Sequence, residues 1–184
     1  VGSTFCKSLS MGADKPFYPI NHLEGHLLST TYNNDVKYPH VVLLLSGGHT
    51  QIYLEQHMGK YELLGETLDD AIGEAFDKVG KLVGLGFPGG PKIEQKALIG
   101  NENKFDLPHP LLKEKILNFS FSGIKNYVNQ LVKKHSPIDE EFVRDLSASF
   151  QKKIFEIIEN KIKLCLNKLN KKNISVEQIS IVGG

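Results

Sequence analysis

Residues 41–54 read VVLLLSGGHTQIYL. Five β-prone apolar residues run into Ser46, Gly47, Gly48, His49 and Thr50, and a second run, Gln51, Ile52, Tyr53 and Leu54, follows with rough alternation. The pattern predicts strand, glycine turn, strand. Two adjacent glycines permit positive φ and leave no Cβ in the way of a ligand, so backbone N–H groups can face an anion. Ser46, His49 and Thr50 place polar groups at a strand end, where open α/β folds bind ligands. Taken alone, the stretch reads first as an ordinary hairpin turn, because glycine turns are common.

The bulk of the chain bounds what this turn can belong to. Its 184 residues suffice for one large domain or two small lobes with a real core. At 40% hydrophobic, 23% charged and net charge +1, the composition is that of an ordinary soluble globular protein, and no global charge draws it to nucleic acid. Cys6 and Cys165 lie far apart and form no framework or CxxC pair, so a reducing, cytoplasmic setting is expected. No apolar run approaches the roughly 18 residues a membrane helix needs, and no signal peptide is expected. The chain has no initiator Met and stops on a strand running into Gly183 and Gly184, so an internal fragment is expected.

Outward from the turn, residues 1–11 have helical spacing, 12–16 form a turn and 17–20 a short strand. Asn21 with Glu24 three positions on resembles a capping box and predicts a helix from His22 to about Thr30, broken at Asn33, Asn34 and Asp35. Met58 and Gly59 predict a hairpin turn leading to a strand over 61–64. Leu68, Ile72, Ala75, Phe76, Val79 and Val83 share one face of a helix over 68–83. Residues 84–91, GLGFPGGP, predict irregular structure, 92–99 a short helix and 100–120 a loop. A helix over 124–134 follows. Ser136 then reads as a cap, with Pro137 first in the longest helix and Asp139 third. Phe142, Leu146, Phe150, Ile154, Ile158, Ile162, Cys165 and Leu169 keep one apolar face that should cover the central sheet. Asn173 ends that helix, and 179–182 is a last strand.

Four places could carry chemistry. His22 and His26, at i and i+4, can present both imidazoles to one metal ion, although two ligands do not complete a site. Two surface histidines are the plain alternative, and HLEGH lacks the glutamate position of the zinc-protease HExxH. Asp70, Glu74 and Asp77 fall on one helix face. The helix dipole accounts for acids at the start, Asp69 and Asp70, but not for Asp77. Asp77, beside the apolar face, suits sugar hydroxyls or a ligand's orientation. The loop of Gly86, Phe87, Pro88, Gly89, Gly90 and Pro91 is rigid and poor in side chains, and admits a flat or phosphorylated ligand against backbone. Last, the terminal strand into Gly183 and Gly184 mirrors the one into Gly47 and Gly48, which suggests two walls of one nucleotide cleft.

The order and spacing of HLEGH (22–26), LLLSGGHTQI (43–52), ELLGETLDDAIGEAFDKVGKLVGLGFPGGP (62–91), FSFSGIKN (119–126) and a terminal IVGG closely resemble the tRNA N6-adenosine threonylcarbamoyltransferase family, TsaD in bacteria, formerly labelled O-sialoglycoprotein endopeptidase. The resemblance implies an α/β, actin/Hsp70-like duplicated ATPase fold, here partial. Residues 1–38 would end an N-terminal lobe that carries the metal-ligand helix, and 39–184 would form a second lobe. It implies transfer of the threonylcarbamoyl group from threonylcarbamoyl-AMP to N6 of the adenosine 3′ of the anticodon in tRNAs reading ANN codons. His22 and His26 match the family's metal histidines, with one divalent ion, usually assigned as iron (Fe2+). Leu44, Leu45, Ser46, Gly47 and Gly48 match the segment along the acyl-adenylate, and Asp77 and Gly90 match positions at its adenosine. No residue is assigned as nucleophile or base; Ser46 lacks a GxSxG elbow. The partners implied are tRNA, the inactive paralogue TsaB and the small ATPase TsaE, with no membrane.

The family's first strands, the Asn after its terminal glycines and the later Asp that completes its metal site fall outside this chain. This polypeptide alone is therefore expected to bind metal weakly and to be inactive. Competing readings are an inactive paralogue or binding subunit of the same complex, a metallopeptidase and a sugar kinase. Seven lysines against two acids over 151–173 read as a solvated helix face ahead of a tRNA-facing surface.

Overall fold

The computed structural model describes residues 1–32 and 34–183. Asn33 of the expected helix break and Gly184 of the terminal glycine pair lie outside the described residues. Helix α1 (Gly2–Gly12) and helix α2 (His22–Leu28), with a 3₁₀ turn (Ser29–Thr31), precede the strands β1 (His40–Leu45), β2 (Thr50–His57) and β3 (Lys60–Glu66). Helices α3 (Ile72–Leu82), α4 (Gly89–Ala97), α5 (Ser122–Lys134) and α6 (Glu140–Lys171) come next, then strand β4 (Gln178–Gly183). The sheet order is β3-β2-β1-β4. β1 and β2 pair antiparallel with Leu45 opposite Thr50, which leaves residues 46–49 as the turn, closed by Ser46 N–H donating to His49 O at 2.8 Å. β4 pairs parallel to β1, with Leu45 opposite Gly183, so the two strands ending in glycine finish side by side.

The two faces of the sheet are covered differently. Val41, Leu43, Ile52 and Leu54 share one core cluster with Val79, Ile93, Phe119, Ile124, Phe150 and Ile154 from the helical layer. α6 supplies the expected face: Phe142, Leu146, Phe150, Ile154, Ile158, Cys165 and Leu169 are all buried, each large one contributing roughly 1.5–3 kcal/mol. The other face carries a buried polar relay. His40 and Glu55 are 0% exposed; His40 Nδ1 lies 3.3 Å from Glu55 Oε2 and His40 Nε2 2.9 Å from Ser180 Oγ. Tyr61 Oη is buried close by without a hydrogen-bond partner, and burial, with Glu55 and Glu24 adding to it, pushes its pKa up to about 12. α2 leans on β1 and β4 here through Leu27, 3% exposed.

Several expectations give way. Residues 17–20 form no strand, because no neighbouring strand offers them a ladder among the described residues. The helix expected from Leu68 begins at Ile72, and Leu68 is exposed rather than on the apolar face. Asp69 explains this. It caps α5, accepting from Ser120 Oγ at 2.5 Å, Phe121 N–H at 2.8 Å, and Ser122 N–H and Oγ at 3.2 and 2.7 Å. Residues 67–70 are therefore held out of the helix, and Asp69 serves a different helix from the one it precedes in sequence. Gly89, Gly90 and Pro91 belong to α4 rather than to an irregular loop; proline is tolerated there because the first turn has no intrahelical acceptor for its N–H. α5 starts at Ser122, two residues before the expected Ile124. Asp139, not Ser136, caps α6, accepting from Phe142 N–H at 2.8 Å. Asn173 ends α6 as expected, in a left-handed conformation at φ 57°.

Candidate functional site

The turn after β1, the start of α3, the start of α4 and the middle of α6 enclose a cleft of about 480 Å³. Leu45, Ser46, Gly47, Asp77 and Gly90 line it together with Gly73, Phe76, Glu94, Gln151 and Phe155. Five of the residues expected at the acyl-adenylate thus meet in one place. Leu44 does not line the cleft: it is 0% exposed, paired within the sheet to Gln51 and Val182. Gly48 is not among the lining residues, although like Gly47 it is exposed. His22 and His26 are not among the lining residues either.

The turn is shaped by Ser46. Its Oγ accepts from His49 N–H at 3.1 Å and from Gly48 N–H at 3.4 Å, and its carbonyl accepts from Gly73 N–H at 3.3 Å. Gly47 N–H makes no hydrogen bond among the described residues. Neither Gly47 nor Gly48 has positive φ, contrary to one reason given for them in the sequence. The other reason holds, since a Cβ added to either would meet nothing within 4 Å. The backbone is open to a ligand there.

The requirement for glycine falls instead on Gly73 and Gly89. A Cβ on Gly73 would stand 2.8 Å from Gly47 Cα and 3.0 Å from Ser46 O. A Cβ on Gly89 would collide with Phe76 O and stand 2.7 Å from Asp77 Cα. These close approaches dock the turn onto α3 and α3 onto α4. Asp77 completes the corner: its Oδ1 accepts Gly89 N–H at 2.7 Å, capping α4 from α3. Asp77 Oδ2 has no partner among the described residues, so one carboxylate oxygen is held and the other is free at the cleft. Lys92 Nζ donates to Leu85 O at 2.8 Å and Phe87 O at 3.2 Å and fixes the loop before α4. At the α4 start, Gly90 N–H is one of the orphan donors every helix leaves, and the helix dipole favours negative charge beside it.

Asp70 and Glu74 do not join Asp77. Asp70 pairs with Lys78 at 2.6 Å and Lys125 at 3.1 Å, and Glu74 pairs with Lys78 at 2.7 Å. Burial pushes the Asp70 carboxyl upward, but the Lys78 and Lys125 bonds outweigh it and hold it below the usual carboxylate range. Gly73, Gln151 and Phe155 line the cleft without being expected there from the sequence. Gly73 lay inside a quoted motif as a glycine in a helix pattern, a signal of close packing; nothing local marks Gln151 or Phe155.

On α2, Asn21 caps the helix by accepting Leu23 N–H at 2.9 Å, and the reciprocal half of the box, from Glu24, is not formed. His22 and His26 stand in the intended relation. Their Nε2 atoms are 3.3 Å apart, ring centroids 4.6 Å. Two nitrogens each about 2.1 Å from one ion and at a near-tetrahedral angle are separated by about that distance. The pair therefore fits two positions of a metal site. No group of three or more His, Cys, Asp or Glu side chains able to hold an ion is formed among the described residues.

The α6 lysines are largely committed. Lys152 reaches Glu102, Lys153 Glu156 and Lys163 Glu159, while Lys161 is buried. Among the described residues, Lys168, Lys171 and Lys172 form no ion pair, so the stretch is not one uniform basic face. No described helix is long and apolar enough to cross a membrane, and the cysteines are free, Cys6 exposed and Cys165 buried.

Comparison with known proteins bears on the whole chain. A family model described as TsaD, tRNA N6-adenosine threonylcarbamoyltransferase, matches residues 1–184. Curated proteins of that name are similar to it. The one from Bartonella tribocorum is 48% identical over 166 residues, covering 90% of this chain and 46% of its own. Those from Rickettsia massiliae and Sinorhizobium medicae are 44% identical over 183 residues and 42% over 182, covering 96% and 99% of this chain and 53% and 51% of theirs. The chain spans about half the length of these relatives.

Proposed function

The chain belongs to the tRNA N6-adenosine threonylcarbamoyltransferase family, and on that premise we propose that its cleft holds an acyl-adenylate during tRNA modification. The reaction proposed moves the threonylcarbamoyl group from threonylcarbamoyl-AMP to N6 of the adenosine 3′ of the anticodon in tRNAs that read ANN codons. The observation that carries this reading is the convergence of Gly47, Gly73, Asp77 and Gly90 on one cleft, with free backbone donors on two sides and a half-held carboxylate between them.

The free oxygen of Asp77 suits a ribose hydroxyl, which needs an acceptor held in place. Phe76, Pro88 and the exposed Phe155 offer apolar surface to a purine. Gly90 N–H and the α4 dipole face the anionic part of the ligand. Gly47 N–H stands free to donate to a phosphate or carbonyl oxygen as charge builds there. In the transfer, the N6 lone pair forms the bond to the carbamoyl carbon, the bond from that carbon to the phosphate oxygen breaks, AMP leaves with the electron pair, and N6 loses a proton. The adenine amine is a weak nucleophile, so positioning and stabilisation of the departing phosphate supply most of the acceleration. No covalent enzyme intermediate is needed. His22 and His26 would hold the divalent ion, proposed as Fe2+, which supplies Lewis-acid polarisation.

The actin-like two-lobed architecture, with residues 1–38 and 39–184 in separate lobes, is part of the same proposal, as are TsaB and TsaE as partners and a cytoplasmic setting. The test is calorimetric titration of the chain with AMP and with a non-hydrolysable threonylcarbamoyl-adenylate analogue. Saturable binding weakened about tenfold by Asp77→Ala, the loss of one good hydrogen bond to a charged group, is expected. Equal affinity in the variant would reject the cleft as the adenylate site.

A further inference from the structure

Away from the cleft, one cavity collects basic groups that the proposed reaction does not use. The loop before α5 folds over the second half of α6 and closes about 250 Å³ against it. His109, Lys115, Asn160, Lys161, Lys163 and Asn167 are among the lining residues, and Glu114 is the acid there. Lys161 is 3% exposed. Its ammonium donates to Ile116 O at 2.9 Å and Leu111 O at 3.4 Å; an ammonium has three donors, and the third finds no partner among the described residues. Leu111 is held at φ 56°, a left-handed conformation rare for leucine, next to this tether. His109 Nε2 is buried without a hydrogen-bond partner. Burial, then Lys153 and Lys161, hold its pKa below the ordinary value against the opposing pull of Glu156.

A buried ammonium with an unmet donor, beside an unpartnered imidazole and two rim amides, is costly unless an anion completes it. Lys163 is offset by Glu159 at 2.6 Å, and Lys115 forms no ion pair among the described residues, so the donors left over are those of Lys161, His109, Lys115 and the two asparagines. We propose that this cavity is an oxyanion site that takes a phosphate group, with the Lys161 ammonium at its base. The phosphate is either the free anion or a backbone phosphate of RNA. The proposal does not rest on the reading of the cleft.

The whole chain is titrated with inorganic phosphate at constant ionic strength, following the side-chain amides of Asn160 and Asn167 and the His109 ring by NMR. Saturable shifts with a dissociation constant on the order of millimolar are expected, weakened about tenfold by Lys161→Met, which removes the charge-assisted bond. Asn167→Leu should weaken it severalfold without touching the loop tether, so the result stands even where Lys161→Met unfolds. Displacement of phosphate by a single-stranded RNA oligonucleotide assigns the site to RNA backbone, and its failure assigns it to the free anion. Absence of saturable shifts, or unchanged affinity in folded Lys161→Met and Asn167→Leu, overturns the proposal. Asp77→Ala leaves this titration untouched.

Discussion

At the cleft, Gly73 meets the 46–47 backbone and Gly89 meets Phe76 and Asp77 with no space for a methyl group, whereas on α2 a Cβ added to Gly25 would meet nothing within 4 Å. One part of the site is locked by backbone against backbone inside this chain. The other stands on a seven-residue helix held by one cap and one buried leucine. The contrast shows where preorganisation comes from. The cleft wall is finished by the fold of residues 41–155, so its backbone donors are held in place within this chain. The histidine pair is placed by helical spacing on α2, and no third His, Cys, Asp or Glu joins it among the described residues.

The sharpest way to break this contrast is Gly89→Val. Forcing side-chain atoms into the α3–α4 crossing should cost about 3 kcal/mol, read as a lower urea midpoint with unchanged slope. A loss under about 1 kcal/mol would show that the helices slide apart freely. His22→Ala comes next and is expected to lower affinity for a divalent ion on the order of tenfold or more while leaving the thermal midpoint in place. A drop in midpoint would mean α2 is more deeply integrated than its burial indicates. Gly25→Ala should have the opposite sign to Gly89→Val, stabilising α2 by about 0.5–1 kcal/mol through helix propensity, visible as slower amide exchange in α2.

The smallest expected effect depends on pH. Burial raises the Asp69 carboxyl, but the bonds from Ser120, Phe121 and Ser122 outweigh it, so the folded pKa lies below the unfolded value. The α5 cap is therefore fully present above the unfolded value, about 3.9, and is lost as pH falls through the lower folded value. Asp69→Ala should flatten that acid limb of the stability curve. A limb unchanged from wild type assigns the acid sensitivity to other carboxylates.

What the sequence made legible follows from the range of the forces involved. Strand, turn, strand over residues 41–54 and the eight-turn apolar face of α6 are periodic signals, and burial enforces them directly. The start of α3 is not legible because Asp69 has the local pattern of its own helix's dipole partner, while its oxygens go to residues 51 to 53 positions further on. The start of α4 is not legible because Gly89, Gly90 and Pro91 have poor helix propensity, and the Asp77 cap and the contact with α3 override it. Asp77, Gly90 and the 45–47 segment were legible through family motifs. Gln151 and Phe155 were not, because only the packing of α6 brings them to the cleft.

The relay on the second sheet face has a consequence for how the chain is made. His40 and Ser180 are 140 positions apart, and β1 takes its parallel partner from the last element described. The β1–β3 meander is local and can pair early, but β1's other edge stays open until β4 is synthesised. Until then, an apolar strand edge whose His40 has Glu55 but not yet Ser180 as a partner is exposed to other chains. Nascent chains truncated before β4 should therefore aggregate, and chains that include it should not.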